Sequence, residues 1–443
     1  MDPTFLDNSL WRNIYCNLAG DSAGCAAREY SAGMLPTGME WLAFALAAAA
    51  IIGLFVNGVL GGVIVLIWGE RRLFGRFQTR TGPNRWGPFG LLTSVADAIK
   101  TMFKEDVVPK DADRILFNLA PVMIAAPALL VFSVIPFGVG TYVADLNVGV
   151  LFIMAVTSLT TLAVLTAAWS SGNRIAILSA FRSVALLISY EIPMALALVG
   201  VIMLAGSMSL GQIIGAQSIP FILVQPLAVF VFFIAAMAEM ARAPFDLTEA
   251  ESELAAGYLN DYASMKFGIF FLAEFMAEIS TSAIITVLFL SGWRGWEPVP
   301  SHLWFGAKLI LVLFVIIWFR MTLPRLRIDQ VLKLAWKGLF ELTLINIIVT
   351  AVLIAVWPEP TTTRLWIMAA VNWPVAIISI WAVSKLLGTS GYDDTEPDSD
   401  APVYPVATEQ IPGSAVHISG VTGPDTQARM SSPANSHIEQ GGN

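Results

Sequence analysis

The sequence predicts an all-α, polytopic membrane protein, and three observations carry this prediction. Of the 443 residues, 56% are hydrophobic and 13% are charged, whereas an ordinary soluble domain carries roughly 25% charged residues. The mean hydropathy is +0.70, and the apolar residues are gathered in long runs. Basic residues are gathered in alternate loops between these runs. This composition excludes a disordered chain and disfavours a water-soluble globule.

Nine apolar segments are long enough for membrane helices, since a spanning helix needs about 20 mainly apolar residues. They lie near 40–68, 115–137, 148–169, 183–205, 221–240, 267–290, 303–319, 338–357 and 365–385. Asn372 and Pro374 interrupt the ninth segment. If that segment does not span, the C-terminus lies on the opposite side of the membrane.

The basic residues predict the orientation, because loops rich in lysine and arginine stay in the cytoplasm. Loop 69–114 has nine basic residues and segment 320–337 has five, whereas loop 138–147 has none. The N-terminus is therefore expected outside the cell and the basic loops inside. Nine spans return the C-terminal tail to the cytoplasm.

The sequence divides into three regions: an outer N-terminal segment (1–38), a transmembrane domain (39–388) and a tail (389–443). Segment 1–38 lacks a basic start followed by an apolar run, so it does not resemble a cleavable signal peptide. Cys16 and Cys25 fall on the outer side, where a disulfide is chemically allowed. The alternative is two unpaired thiols in a mobile segment.

The tail holds most of the net charge. It has eight acidic residues and one basic residue, a balance of -7, out of a net charge of -8 for the whole chain. Six prolines, many small polar residues and no long apolar run predict a disordered tail. The remaining chain is nearly neutral, at -1, so the acidic balance says little about the membrane domain.

Loop 69–114 is too long for a simple connector. Its second half has apolar residues at helical spacing: Leu92, Val95, Ala96, Ile99, Met102 and Phe103. This pattern predicts an amphipathic helix lying in the membrane interface. The alternative is a positively charged loop that only fixes topology.

Three blocks of sequence resemble one known family. The first block runs from Glu70-Arg71-Arg72 through Gly82-Pro83-Asn84-Arg85 to Lys104-Glu105-Asp106. The second runs from Ala238-Glu239-Met240-Ala241-Arg242-Ala243-Pro244-Phe245-Asp246 to Phe271-Leu272-Ala273-Glu274. The third runs from Arg320-x-x-Leu323-Pro324-Arg325-x-Arg327 to Trp336-Lys337. Together they closely resemble the H subunit of the bacterial proton-translocating NADH–quinone oxidoreductase (respiratory complex I), the counterpart of mitochondrial NADH dehydrogenase subunit one. The resemblance covers about residues 40–357. It implies eight family helices, to which the ninth segment adds a C-terminal span, and a place in the bacterial cytoplasmic (inner) membrane.

Acidic residues cluster just inside the predicted cytoplasmic face: Glu239, Asp246, Glu249, Glu251, Glu253 and Asp261. Crowding and burial raise the pKa of carboxylic acids in general, so such a cluster suits proton exchange near neutral pH. A solvated acidic loop is the alternative. The resemblance favours the first interpretation, because a chain of carboxylates begins in this subunit.

Carboxylates also occur inside the predicted spans, where an ionised side chain costs about 2.5–3.5 kcal/mol at the helix centre. They are Glu191, Glu274 and Glu278. The resemblance implies that Glu191, Glu239 and Glu274 belong to the proton path. Glu278 departs from the family, which usually has a non-acidic residue there. Structural pairing, for example with Lys308, is the alternative for these residues.

The resemblance further implies a chamber in which quinone, either ubiquinone or menaquinone, is the substrate. The residues expected to bind quinone are Arg71, Arg80, Asp97, Arg242, Phe245 and Phe271, and those expected to dock the peripheral arm are Arg320, Arg325 and Arg327. NADH, FMN and iron–sulfur clusters are expected only in partner subunits, since two cysteines and three histidines leave little room for a metal site. No catalytic residue is expected in this chain.

The expected partners are other complex I subunits, namely the peripheral-arm subunits with the terminal iron–sulfur cluster and the neighbouring small membrane subunits. Membrane lipid and quinone are expected to bind too, but not nucleic acid.

Two departures from the family pattern weaken the transfer of the family's proton path to this chain: Asp261 replaces the more usual Glu, and Phe340-Glu341 replaces the usual Leu-Pro. The alternatives are the anchor subunit of a related hydrogenase complex and a stand-alone proton-coupled transporter. A transporter usually has inverted repeats, and the sequence has no convincing repeat.

Overall fold

The described part of the chain is all-α, as predicted. In the computed structural model it comprises residues 8–19, 40–246, 257–296, 298–357 and 361–389. The helices are α1 (Ser9–Ala19), α2 (Glu40–Phe77), α3 (Leu92–Phe103), α4 (Arg114–Val134), α5 (Gly149–Ser171), α6 (Arg174–Ala205), α7 (Leu210–Ala216), α8 (Phe221–Val224), α9 (Pro226–Glu239), α10 (Ser264–Phe289), α11 (Ser301–Thr322), α12 (Ile328–Val356) and α13 (Thr362–Thr389). The predicted tail lies outside the described residues.

Eight of the described helices are long and apolar enough to cross a membrane: α2, α4, α5, α6, α10, α11, α12 and α13. This confirms the prediction of a polytopic membrane protein. The ninth predicted segment forms α13, which continues through Pro374. Proline is tolerated inside membrane helices because neighbouring helices and side chains satisfy the backbone groups that it frees.

The fifth predicted span, 221–240, is not one long helix. It is divided into α8 and α9, and the 14 residues of α9 cover about 21 Å at 1.5 Å per residue. That length is short of the roughly 30 Å hydrocarbon core. The break falls at Gln225, because Pro226 has no N–H to continue the helix and is favoured as a first helical residue. Hydropathy alone does not reveal this break.

Helix α13 satisfies backbone groups at the break. Asn372 Nδ2 donates a hydrogen bond to the Val224 carbonyl oxygen at 2.7 Å, and Trp373 Nε1 donates to the Leu223 carbonyl oxygen at 3.1 Å. Asn372 is buried. The polar residue that interrupts the apolar run of the ninth segment therefore attaches α13 to the helix bundle.

Helix α1 is packed against the beginning of α2. The ring of Trp11 stacks on Phe44 with centroids 5.4 Å apart, and its Nε1 donates to the Val143 carbonyl oxygen at 3.2 Å. Cys16 is buried and disulfide-bonded, which excludes an unpaired thiol at this position. Cys25 lies outside the described residues.

Two helices position the candidate site. Helix α10 is the most buried of the long helices and packs against α4, α11 and α2. The predicted amphipathic helix is present as α3, which packs on α2 and α10 while Leu92, Ile99, Met102 and Phe103 stay exposed. Such an exposed apolar face is typical of a helix in the membrane interface. The location of α3 in that interface stays a prediction.

Candidate functional site

Four charged side chains from four elements form a cluster around Arg242, which we call the charge cluster. Arg242 Nη1 lies 3.2 Å from Glu70 Oε1 and 2.8 Å from Glu278 Oε2. Glu70 forms a second ion pair with Arg320. Glu70, Arg242 and Glu278 are buried, where isolated charges are costly. The opposite charges therefore stabilise one another inside the protein.

The turn after α9 directs Arg242 inward. Helix α9 ends at Glu239, and Ala241 adopts a positive φ of 49°, which is uncommon for a residue with a side chain. The Arg242 guanidinium then lies 4.3 Å from the ring centroid of Phe275 on α10, a distance typical of a cation–π contact. The backbone turn and the aromatic contact together hold Arg242 between α2 and α10.

An apolar groove of about 690 Å³ lies between α2, α3 and the beginning of α10. Three of the residues expected to bind quinone line it: Arg71, Asp97 and Phe271. Arg71 and Asp97 form an ion pair and are each about half exposed, so they mark the rim of the groove. The Phe271 ring stacks on Phe267 at 6.3 Å. The groove thus combines aliphatic and aromatic walls with a charged rim.

Tyr262 closes one side of this groove. Its ring stacks on Phe117 at 4.1 Å, and its hydroxyl lies 3.2 Å from both Ser170 Oγ and the Ala167 carbonyl oxygen. Burial raises the pKa of Tyr262 to about 12. The phenol is therefore neutral at physiological pH and acts as a fixed wall between α4 and α10.

A second cavity, of about 110 Å³, lies among α4, α5, α6, α9 and α10. Glu239 and Glu274 line it, so the structure brings together two residues of the predicted proton path. The Thr157 side chain is within hydrogen-bonding reach of Glu239, and Glu191 is close enough to interact with it electrostatically. Five residues with hydroxyl side chains also line the cavity: Thr157, Thr160, Ser183, Ser280 and Thr281.

Two residues expected to bind quinone lie away from the groove. Arg80 is exposed, and its Nε donates a hydrogen bond to Gln78 Oε1 at 2.7 Å. Phe245 is buried beside Tyr190, with ring centroids 5.4 Å apart. Arg242, the remaining expected residue, belongs to the charge cluster.

One ion pair joins Asp246, of the predicted acidic cluster, to Arg325, of the expected docking residues. Asp246 Oδ2 accepts a hydrogen bond from Arg325 Nη2 at 2.8 Å, and Arg327 is exposed nearby in sequence. The buried Asp261 Oδ2 has no hydrogen-bond partner within the described ranges. Glu249, Glu251 and Glu253 lie outside those ranges.

The sequence assigns no site role to Glu70, although Glu70 belongs to the first sequence block. For Glu278 it offers structural pairing, but it does not identify Arg242 as the partner. The available signal was the presence of both acids in long apolar segments, where an ionised side chain is costly without a partner. The suggested pairing of Lys308 with a carboxylate is wrong. Its Nζ donates to the carbonyl oxygens of Leu290, Gly292 and Arg294, which follow the C-terminus of α10, where a cation is favoured.

Comparison with known proteins gives consistent matches over the same region. The sequence model of a family described as NADH dehydrogenase matches residues 49–351. A protein of Dehalococcoides mccartyi (strain CBDB1), named as the H subunit of NADH-quinone oxidoreductase, is 51% identical over 307 residues, which cover 69% of this chain and 87% of that protein.

Two further relatives carry the same name. The protein of Geobacillus thermodenitrificans (strain NG80-2) is 46% identical over 302 residues, covering 67% of this chain and 90% of the relative. The protein of Anoxybacillus flavithermus (strain DSM 21510 / WK1) is 45% identical over 323 residues, covering 72% of this chain and 97% of the relative. The family match of 49–351 leaves α1 and α13 outside.

Proposed function

Since the chain belongs to the NADH dehydrogenase family, as the H subunit of NADH–quinone oxidoreductase, we propose that it forms the quinone-binding chamber together with the peripheral arm. We further propose that its carboxylates begin the path that couples quinone reduction to proton translocation. The observation that carries the proposal is the arrangement of the groove, the charge cluster and the carboxylate cavity around one helix, α10.

The groove has the properties that a quinone requires. Ligand sites are usually clefts of about 300–1,000 Å³ with mostly apolar walls and a few polar groups, and this groove of about 690 Å³ fits that description. The isoprenoid tail would contact aliphatic residues of α2, such as Ile64 and Ile67, and the stacked rings of Phe267 and Phe271. Arg71 and Asp97 at the rim would orient the more polar head as it passes.

The electrons would come from partner subunits. We propose that NADH, FMN and iron–sulfur clusters lie in the peripheral arm, and that this arm docks on the surface around Arg320, Arg325 and Arg327. The Arg325–Asp246 ion pair supports this placement, because it joins one residue of the predicted acidic cluster to this basic surface. Other proposed partners are the neighbouring small membrane subunits and lipid.

Proton transfer would use the cavity carboxylates. Reduction of a quinone to a quinol takes up two protons with two electrons, so the negative charge developing at the head attracts protons from nearby acids. Glu239 and Glu274 line the same cavity, and Glu191 interacts electrostatically with Glu239, so a change of charge at one of these acids would affect its neighbour. Moving one charge against 100 mV costs about 2.3 kcal/mol, so quinone reduction and the protonation of these acids must be tightly coupled.

The first test is purification of the tagged chain in mild detergent. NADH-dependent quinone reduction in the purified material is the expected result. A co-purifying nickel–iron hydrogenase would instead support a hydrogenase anchor, and a lone active chain would support a transporter. The names of the relatives favour the first outcome.

The sharper test is Glu239→Gln in the assembled complex. Because Gln cannot take up a proton, quinone reduction coupled to pumping should fall by roughly 10²-fold or more, the usual contribution of a positioned proton-transfer group. NADH oxidation by an artificial acceptor that bypasses quinone should not change. The control is Glu341→Gln, which removes an exposed carboxylate outside the cavity. Equal rates for both variants and the parent would contradict the proposed proton path.

A further inference from the structure

Glu278 is the residue of the charge cluster that the proposed function does not use. Its side chain is fully buried in α10, and Glu278 Oε2 lies 2.8 Å from Arg242 Nη1. Despite this short distance, neither carboxylate oxygen has a directed hydrogen bond within the described part of the chain. The carboxylate is thus held by charge, and its lone pairs remain open to a proton.

The ionisation of Glu278 determines the net charge of the cluster. With all four groups ionised, Arg242 and Arg320 contribute +2 and Glu70 and Glu278 contribute -2, so the cluster is neutral. If Glu278 takes up a proton, the net charge becomes +1. In a buried site, where water screens poorly, such a change alters the attraction on every neighbouring charge.

Arg242 is the side chain that would respond first. Its Nη1 is shared between Glu70 at 3.2 Å and Glu278 at 2.8 Å. Protonation of Glu278 would remove the nearer of these two anions, while the ion pair with Glu70 and the contact with the face of Phe275 would remain. The attraction of Glu70, on α2, would then dominate at Arg242 Nη1, and α2 forms a wall of the groove.

Glu278 also adjoins the carboxylate cavity. Ala277, Ser280 and Thr281, which flank it on α10, line that cavity. Glu274, which lines it as well, is four residues earlier on the same helix, and such residues are neighbours on a helix surface. The facing charged groups from the packed elements are Arg242, Glu70 on α2 and Arg320 on α11. Glu278 therefore lies between the charge cluster and the cavity.

We propose that Glu278 is a positioning residue of the quinone site, a proton-accepting counter-ion of Arg242 that links the charge cluster to the cavity carboxylates. The inference rests on the proposed function, because it assumes that quinone reduction occurs beside Arg242. Transfer of one proton from a cavity carboxylate to Glu278 weakens the ion pair with Arg242, and return of that proton to the cavity carboxylate restores the pair.

The test uses the complete complex with three substitutions: Glu278→Asp, Glu278→Gln and Glu278→Met. The amount of assembled complex is measured by NADH oxidation with an artificial acceptor, and quinone reduction is expressed relative to that amount. Quinone reduction and protons pumped per electron are then measured across a range of pH. Glu341→Gln serves again as the control for loss of a carboxylate.

Glu278→Gln is expected to assemble but to reduce quinone about tenfold more slowly, a smaller loss than the roughly hundredfold of a directly acting acid–base group, because Glu278 acts through Arg242. Its pH profile should lose a titration step that the parent shows. Glu278→Asp should retain that step and most of the rate, whereas Glu278→Met should behave like Gln or worse.

Three outcomes would overturn the proposal. The first is a Gln variant with the rate, the stoichiometry and the pH profile of the parent. The second is a slower Gln variant with an unchanged pH profile, which would assign Glu278 a purely electrostatic role. The third is a Gln variant that does not assemble while Asp does, which would make Glu278 a structural counter-ion. If one of these outcomes occurs while Glu239→Gln loses activity, the inference about Glu278 fails and the proposed function stands. The two failures are therefore distinguishable.

Discussion

At the scale of single residues, the rim of the groove is held by one ion pair. Arg71 and Asp97 lie 26 positions apart, on α2 and α3, and the pair joins these two helices where they enclose the groove. Both side chains are about half exposed, and ion pairs of this kind contribute only about 0–1 kcal/mol to stability. Their proposed role is therefore in guiding the quinone rather than in folding.

Asp97→Asn tests that role. The substitution keeps the size of the side chain but removes its charge, so Arg71 loses the partner that orients it at the rim. We expect the KM for a short-tailed quinone to rise up to about fivefold, the equivalent of 1 kcal/mol, with little change in kcat. Steady-state kinetics of the assembled complex provide the measurement.

The matched control for Asp97 is Glu105→Gln, which also removes one negative charge close to the end of α3. Glu105 is exposed and does not line the groove, so its substitution should leave the KM unchanged. If both substitutions raise the KM equally, the effect is a general loss of negative charge and the assigned role of the ion pair is wrong.

At the scale of secondary structure, the break between α8 and α9 is the feature that hydropathy cannot detect. Residues 221–240 are almost all apolar, yet Pro226 interrupts the helix, and α13 supplies two side-chain donors to the carbonyl oxygens exposed there. The break and the added helix are thus structurally linked, although α13 lies outside the family match.

The double substitution Asn372→Leu with Trp373→Phe should loosen this connection. Hydrogen bonds between membrane helices contribute about 0.6 kcal/mol on average and up to about 1.7 kcal/mol. Loss of two average bonds, about 1.2 kcal/mol, corresponds to a roughly eightfold larger population of the open state. Amide hydrogen exchange of residues 221–230 in the purified complex should accelerate by that factor.

Trp366→Phe provides the comparison for this helix. Trp366 lies on α13 and is exposed, so its substitution changes an aromatic side chain of the same helix without touching α8. Exchange in residues 221–230 should then match the parent. Equal acceleration in both variants would mean that α13 stabilises the bundle by general packing and not through the two donors.

At the scale of the whole molecule, the orientation in the membrane remains the main topological prediction. Helix α13 is long and apolar enough to span. With α8 and α9 together counted as one crossing, the basic loops predict that the tail is cytoplasmic. A fluorescent protein fused after residue 443 should therefore fold and fluoresce, while alkaline phosphatase fused there should be inactive. Fusions made directly after Trp357, before α13, should give the reverse pattern. An active phosphatase at residue 443 would show that the predicted topology is wrong.

For the whole molecule, the net charge is a poor guide to the charges at the candidate site. The net charge of -8 lies mainly in residues 389–443, whereas the membrane domain is nearly neutral. Within that domain, four charges are gathered around Arg242 and two carboxylates line one cavity. The functional electrostatics therefore depend on local arrangement, and the overall isoelectric point has little bearing on them.

The sequence by itself determined the all-α membrane class, because long apolar runs must form helices when lipid cannot satisfy backbone groups. The three motif blocks identified the family. Of the six residues that the resemblance implies for quinone binding, Arg71, Asp97 and Phe271 line one groove. The sequence also located α3 and α13, since helical spacing and apolar length are local properties.

Only the tertiary structure decided which charges meet. Glu70, Arg242, Glu278 and Arg320 are up to 250 positions apart, and no local pattern specifies a contact over such a distance. The same reason explains why Phe245 packs on Tyr190 away from the groove, and why Lys308 ends at backbone carbonyls. A residue type limits the chemistry that a side chain can perform, but its partners depend on how the helices pack, and here packing placed Glu278 beside Arg242.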